Sequence, residues 1–374
     1  MKQWFMTWAF GIALLFGIPN SLFAEEGNEK IHFHGYGELH YNSPESSSNV
    51  PDDEDPAVMD LHRMVWGLDY YWTDQISLHT EVDFEHAAQE MELEYAYIDF
   101  LVNPAFNVRA GSVLMPVGPL NEFHEPPLFY SVERPYVQNA IIPTTWQEGG
   151  AGIFGSPAEG LKYRLYIVSG LNADGFSASS GIRGGRGKVA EQPSDELAVV
   201  GRLEYMGLPG LSLGASGYSG GANTTNNDAL EDVAVTILEG DVRYRIAGLD
   251  LQGVFVQINV DEAEKLFALD GAEVGEKMVG WYGEVAYHLL GLILPETEKD
   301  LVLFVRMEQI NTQEEVPDAF DANPANERQV LTYGLAYYPI PQVAVKADFE
   351  RWENEADNDN EGDRFNLGLA WMFP

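Results

Sequence analysis

From Ile31 onward, apolar and polar residues alternate singly along most of the chain. Between Ile31 and Tyr41 the odd positions are Ile31, Phe33, Gly35, Gly37, Leu39 and Tyr41, and the even ones His32, His34, Tyr36, Glu38 and His40. Between Ile76 and Glu85, the apolar-leaning set Ile76, Leu78, Thr80, Val82 and Phe84 faces Ser77, His79, Glu81, Asp83 and Glu85. Near the end, Phe365, Leu367, Leu369, Trp371 and Phe373 alternate with Arg364, Asn366, Gly368, Ala370 and Met372. A period of two puts neighbouring side chains on opposite faces of a strand, so each segment carries one apolar and one polar face.

A β-sandwich would alternate too, with its apolar faces inward. Two features favour a barrel with its apolar face outward, in lipid. The segments run to about 10–14 residues, longer than the usual ~5–6 of globular strands. Aromatics also gather at their ends, as in Trp66, Tyr70 and Trp72, then Tyr333, Tyr337 and Tyr338, then Trp371 and Phe373, the placement of interfacial girdles.

About 16 strands are expected, near 30–41, 59–72, 76–86, 90–102, 107–115, 146–155, 161–170, 197–207, 211–220, 232–246, 249–260, 276–289, 300–312, 326–338, 342–353 and 363–373. The segment 249–260 is ambiguous, because Val254, Val256 and Ile258 oppose Leu249, Leu251 and Phe255. Joins after even-numbered strands are mostly tight, such as Thr73-Asp74-Gln75, Leu208-Pro209-Gly210 and Ala247-Gly248; 290–299 is a longer exception. Joins after odd-numbered strands are mostly long and polar: 42–58, 116–145, 171–196, 221–231, 261–275, 313–325 and 354–362, with a short one near Ala87-Ala88-Gln89. Short turns on one rim and long loops on the other describe a bacterial outer-membrane barrel with both termini in the periplasm. A sandwich has no reason to sort its loops by length.

Residues 1–24 read as a secretory signal peptide. Lys2 gives the charged start, Trp8 to Ile18 the apolar region, Pro19-Asn20-Ser21 the break and Ala24 the small residue before the cut. The apolar run is too short for a membrane anchor, which needs about 20 residues. The expected organisation is therefore a cleaved signal peptide, 1–24, then one barrel, 25–374. The chain has no cysteine, consistent with a Gram-negative envelope protein stabilised by a closed sheet rather than by disulfides.

Lysine and arginine total 21 against 59 acidic residues, a formal charge of −38. That balance excludes nucleic acid as a partner, which needs basic patches, and suggests a pore or loops favouring cations. An aromatic content of 12% and a hydrophobic content of 45% argue against an acidic disordered chain.

Several stretches resemble a bacterial outer-membrane family related to the phosphate-selective porins O and P: His34-Gly35-Tyr36-Gly37-Glu38-Leu39-His40-Tyr41-Asn42, Leu61-His62-Arg63, and Met115-Pro116-Val117-Gly118 running into Asn121-Glu122-Phe123-His124-Glu125-Pro126. Val132-Glu133-Arg134-Pro135, Ile142-Pro143-Thr144-Thr145-Trp146 and Gly181-Ile182-Arg183-Gly184-Gly185-Arg186 continue it. The similarity is densest over 31–205. It implies a large barrel conducting small solutes or ions, embedded in outer-membrane lipid with lipopolysaccharide and inserted by the barrel-assembly machinery; porins by analogy imply a homotrimer. Phosphate-selective members carry many basic lumen residues, and this chain does not. It also ends Trp371-Met372-Phe373-Pro374, one residue past the terminal aromatic usual in such barrels.

The 116–145 segment is the best site candidate. Six prolines stiffen it, and Leu120, Phe123, Leu128, Phe129, Tyr130, Tyr136, Ile141 and Ile142 need a surface to pack on. Folded into the barrel mouth it would narrow the pore, with Glu122, His124, Glu125, Glu133 and Arg134 as constriction residues: a carboxylate ring favouring cations, crossed by the field of Arg134. The blander expectation is a loop on the outer rim with ordinary surface charges. By the alternation, His79, Glu81, Asp83 and Glu85 face the lumen, with Glu92 and Glu94, while Lys162, Arg164, Arg202, Arg243 and Arg245 form a basic wall elsewhere. The plainer account of these residues is cross-strand salt bridges that fill the interior.

His32, His34 and His40 share a face, with His62 on the next strand, yet no compact His/Asp set joins them, so no metal site is expected. Gly181 to Lys188 fails as a phosphate loop, because Val189 stands where Ser or Thr belongs and no helix follows. A basic external loop touching lipopolysaccharide phosphates fits better. Asp357 to Asp363 resembles a calcium loop only in part, leaving a loose divalent-ion site as an option. No cofactor is expected. Three function classes stay open: a porin, a ligand- or surface-binding barrel, and a barrel hydrolase, the last lacking a nucleophile beside His124 or His288.

Overall fold

The computed structural model describes residues 30–44, 56–191, 194–223, 225, 227–294, 296–356 and 361–374, with only the backbone of residue 361. The signal-peptide segment and most of the Asp357 to Asp363 loop lie outside them.

Sixteen antiparallel strands close into one barrel. They are β1 (Ile31–Ser43), β2 (Val58–Thr73), β3 (Ile76–Glu85), β4 (Glu90–Asn103), β5 (Phe106–Leu114), β6 (Gln147–Ala158), β7 (Leu161–Ser169), β8 (Leu197–Leu208), β9 (Leu211–Gly221), β10 (Ala234–Ile246), β11 (Leu249–Asp261), β12 (Lys277–His288), β13 (Asp300–Glu315), β14 (Glu327–Ile340), β15 (Val343–Asn354) and β16 (Glu361–Phe373). Each strand pairs with its sequence neighbours, and the first and last close the ring from Gly35 opposite Phe373 to Ser43 opposite Phe365. Closure satisfies every strand edge, the condition for crossing lipid with strands. Among the described residues no helix is long and apolar enough to cross a membrane.

The alternation sets the two faces. Phe33, Ile167, Leu238 and Phe255 are more than half exposed on the outside, whereas inward-facing Glu38, Arg63, Arg202 and Glu284 are buried. An aqueous globular fold would reverse that arrangement. Tight turns collect on one rim. At the β2–β3 turn the Thr73 hydroxyl accepts from the backbone of Gln75 and Ile76, both at 3.1 Å. At the β8–β9 turn Gly210 has φ +78, and a Cβ there would sit 2.2 Å from the Arg245 carbonyl oxygen, so only glycine fits. The 290–299 join contains the short helix Leu290–Ile293.

The strand boundaries differ most from expectation at β6 and β13, whose ends lie three residues later than the 155 and 312 read from the sequence. In β6 the extension carries Pro157 across a register shift between Gly155 and Ala158, where a missing backbone donor is tolerated. Tyr338 is no girdle residue. It adjoins Tyr337, so it faces inward, and its hydroxyl donates to the Pro127 carbonyl at 3.1 Å.

Inside, alternation does not everywhere mean polar. On the long-loop halves of β7–β13 the inward residues include Val168, Val200, Ile237, Val256, Ile258 and Ile310, all buried. These strands are apolar on both faces there. That resolves β11: Phe255 points to lipid, while Val254, Val256 and Ile258 join an internal apolar core.

Candidate functional site: a loop crossing the barrel interior

That internal core exists because a loop covers it. Between β5 and β6, residues 115–146 leave the wall and pack against its inner face. Val117, Val137, Ile141, Ile142 and Trp146 are fully buried in one cluster with the inward residues of β7–β13. Burying a side chain of this size contributes roughly 1.5–3 kcal/mol, so the cluster is a substantial anchor.

The loop's neck is closed by one side chain. Met115 N–H donates to the Trp146 carbonyl at 2.9 Å. Asn121 donates to the Met115 and Trp146 carbonyls, both at 2.9 Å, and accepts from Trp146 N–H at 3.0 Å. Alternation and composition give Asn121 no role of its own, since its partners are backbone atoms 6 and 25 residues away.

Polar contacts then tie the loop to opposite walls. On the β1–β4 side, His124 Nε2 meets Glu94 Oε2 at 2.7 Å and the Tyr36 hydroxyl at 2.8 Å. Its Nδ1 faces the Asn121 carbonyl at 2.8 Å. A carbonyl can only accept and Glu94 accepts when ionised, so both ring nitrogens are donors and the ring is an imidazolium. Burial pulls the His124 pKa down, but the Glu94 carboxylate more than offsets this and raises it to about 9. On the β11–β16 side, acidic residues receive the loop's donors. Tyr130 donates to Asp250 at 2.7 Å, Val132 N–H to Asp348 at 2.5 Å and Val137 N–H to Glu308 at 3.0 Å. Lys346 donates to the Pro126 and Ser131 carbonyls at 2.7 and 2.8 Å. Arg306, wholly buried, reaches Glu308 at 2.7 Å, Ser131 Oγ at 2.6 Å and Glu284 at 3.2 Å. The loop therefore spans the interior from β1 and β4 to β11–β16.

The five loop residues singled out from sequence do not form one ring of carboxylates. Glu122 pairs with Arg164 on β7 at 3.0 Å, and His124 with Glu94 on β4. Glu133 lies on the β1–β16 side, 3.1 Å from His40 and 3.0 Å from Asn42 Nδ2. Glu125 is half-buried, with a buried, unpartnered Oε2, and one buried nitrogen of Arg134 also lacks a partner. Burial raises the Glu122 and Glu125 pKa values. Glu133 is held well below the usual carboxylate range, because His40 beside it overcomes the burial cost. A contiguous ring is absent because each charge is drawn to a different wall.

Basic residues of the inner wall lie in ion pairs with neighbouring acids. Arg164 touches Glu204 at 2.6 Å; Arg202 touches Glu204, Glu239 and Asp241; Arg243 and Arg245 share Asp250 at 2.7 and 3.0 Å. Lys162 sits on the inward face of β7, paired in register with Glu204. Acids interleave with these bases, so the wall is locally neutralised. On β3, His79 contacts Asp69 at 2.6 Å, Glu81 contacts His34 at 3.2 Å, Asp83 is buried, and Glu85 lies opposite Arg63 at the rim. On either side of the loop, inward polar groups regain some exposure. Asp69, His79, Arg109 and Arg245 lie towards the tight-turn rim, and Asp60, His62 and His86 towards the long-loop rim.

Residues 171–186 of the loop after β7 also turn inward. Arg183 donates to the Asn139 carbonyl at 3.0 Å, and Arg186 to Thr145 Oγ1 at 3.1 Å and to the Thr144 carbonyl. These arginines brace the first loop instead of reaching outward to lipopolysaccharide.

The chain is 34% identical to an uncharacterized protein of Aquifex aeolicus (strain VF5) over 357 residues, covering 91% of this chain and 79% of that protein. The two belong to one family. No family model matches the chain. Among solved structures, this family member superposes on Salmonella typhi OmpF in complex with daunomycin and on the outer-membrane channel DcaP of Acinetobacter baumannii. Each is matched with a TM-score of 0.58 and 11% identity over 92% of this chain and 97% of theirs. The anion-selective porin of Comamonas acidovorans gives 0.56 and 10%, over 92% and 99%. The family's barrel thus has the outer-membrane porin fold.

His124 supplies a pH test of the loop's docking. Its folded pKa, about 9, lies above the ordinary histidine value of 6.5. The stabilisation is then complete below 6.5 and lost as pH rises through about 9. Single-channel noise should increase above pH 9 in the wild type, and His124→Gln should show that noise already at pH 7. A pH-independent trace in both would remove the His124–Glu94 contact from the account.

Proposed function

We propose that the protein is an outer-membrane porin, exported by its signal peptide, through which small solutes and ions diffuse past the inserted 115–146 loop. The observation that carries this reading is the pairing of a lipid-suited exterior with a charged interior that a loop crosses. The resemblance to the phosphate-selective porins O and P supports the wider kinship. The solute is a different matter: 59 acids against 21 bases, with Arg164, Arg202, Arg243, Arg245 and Arg306 already paired with acids, favour cations over phosphate. Glu122, Glu125 and Glu133 flank the narrowed passage and would set that preference, with Arg134 and His124 limiting it. The reading is of a channel rather than an enzyme, with the two loop-side histidines held in hydrogen-bonded contacts: His124 faces Glu94 and Tyr36. His288 faces Tyr130 and Asp300.

The test is swelling of liposomes carrying the purified protein. Small neutral and cationic solutes should enter faster than anions of equal size, and control liposomes should stay unswollen. Equal behaviour with and without protein would refute the porin reading.

A further inference from the structure

We propose that Asp60, His62 and His86 form a binding site for a borderline divalent cation of the zinc or copper class, on the long-loop rim. The proposal does not depend on conduction. It starts from two local departures in the backbone. In β2 the register with β1 slips: Glu38 faces Arg63, but Leu39 faces Leu61, leaving His62 as an extra residue. A bulge of this kind re-aims a side chain, and His62 stacks on inward-facing His40 with centroids 4.8 Å apart and planes 11° apart. In the β3–β4 join, His86, Ala87 and Ala88 have φ of 49, 56 and 68. None is glycine, so each costs free energy to hold in the left-handed region.

Together these departures bring three donors to one point. Asp60 Oδ2 lies 3.2 Å from His62 Nδ1 and 2.7 Å from His86 Nδ1, and the three ligand atoms lie within 4.8 Å of one another. An ion bound at about 2.0–2.2 Å in tetrahedral geometry needs donors about 3.3–3.6 Å apart, which small side-chain rotations supply. Two imidazoles and one carboxylate leave a coordination position for water. That set suits zinc, copper or nickel, whereas calcium and magnesium prefer more oxygens. The three side chains are between a fifth and a half exposed, so an ion can reach them from water. His40 does not compete, because Glu38 and Glu133 occupy its two nitrogens at 2.9 and 3.1 Å. A bound ion would pin the strained β3–β4 turn to β2. The proposal departs from the expectation of no metal site that the sequence alone supports.

The full-length mature protein in detergent, stripped with chelator and dialysed, is titrated with Zn²⁺ alone by calorimetry. One ion per chain is expected. His86→Ala and His62→Ala should each weaken binding by at least roughly tenfold, while His32→Ala leaves it unchanged. His86 lies outside the barrel wall, so its variant keeps the fold, checked by the strand circular dichroism signal. With Cu²⁺ instead, electron paramagnetic resonance should show two coupled imidazole nitrogens, falling to one in His86→Ala. Absence of saturable one-to-one binding, or binding and spectra indifferent to His86→Ala, would show an ordinary hydrogen-bonded cluster and overturn the proposal.

Discussion

Excising the inserted loop is expected to raise single-channel conductance several-fold. The barrel has 16 strands, a size that leaves an aqueous channel when its interior is empty; here the 115–146 loop occupies that interior. Met115 N–H bonds to the Trp146 carbonyl at 2.9 Å, so replacing residues 119–142 with a short Gly-Ser bridge keeps that contact between the ends of β5 and β6 while removing the Asn121 clasp. The excision bares the apolar inner wall around Ile237, Val256 and Ile258, and some loss of thermal stability should accompany it. Conductance is read from bilayer recordings of protein that still migrates as a folded barrel. A folded variant with unchanged conductance would mean that the loop does not limit the passage.

The second large effect is on stability. Arg306 is fully buried between Glu308 and Glu284 and also holds Ser131 of the loop. Arg306→Met would leave two buried carboxylates without their cation. Breaking a buried ion pair from one side costs about 3–5 kcal/mol. Equilibrium urea unfolding in detergent, followed by tryptophan fluorescence, should show a loss of that order. The double variant Arg306→Met with Glu308→Gln should recover part of it, because one stranded charge is removed. A single variant as stable as the wild type would show that the network contributes little.

The barrel was legible because lipid imposes a strict period of two and the two rims demand different loop lengths. Phe365 to Phe373 carries the outward pattern plainly, and β16 follows it to the last aromatic. The 116–145 segment was legible as an inserted element because its apolar residues had no wall of their own to pack on. What alternation hid is the inner surface opposite that loop. Val254, Val256 and Ile258 look like lipid-facing residues when read alone, and the apolar residues that the loops bring inside, Val137 and Ile141 among them, explain why they point inward. Charge pairing was hidden for a similar reason. Arg202 finds Glu239 and Asp241 on a strand two places away, a juxtaposition set by register rather than spacing. The roles of Asn121 and His86 were hidden because a neck of backbone carbonyls and a run of left-handed residues leave no signature in composition.

The most direct measurement is a planar lipid bilayer recording of the purified mature protein under a potassium chloride gradient. Discrete current steps with a reversal potential of the sign that favours potassium are expected. A bilayer that stays silent at saturating protein, or a reversal potential favouring chloride, would contradict a loop-narrowed, cation-preferring pore.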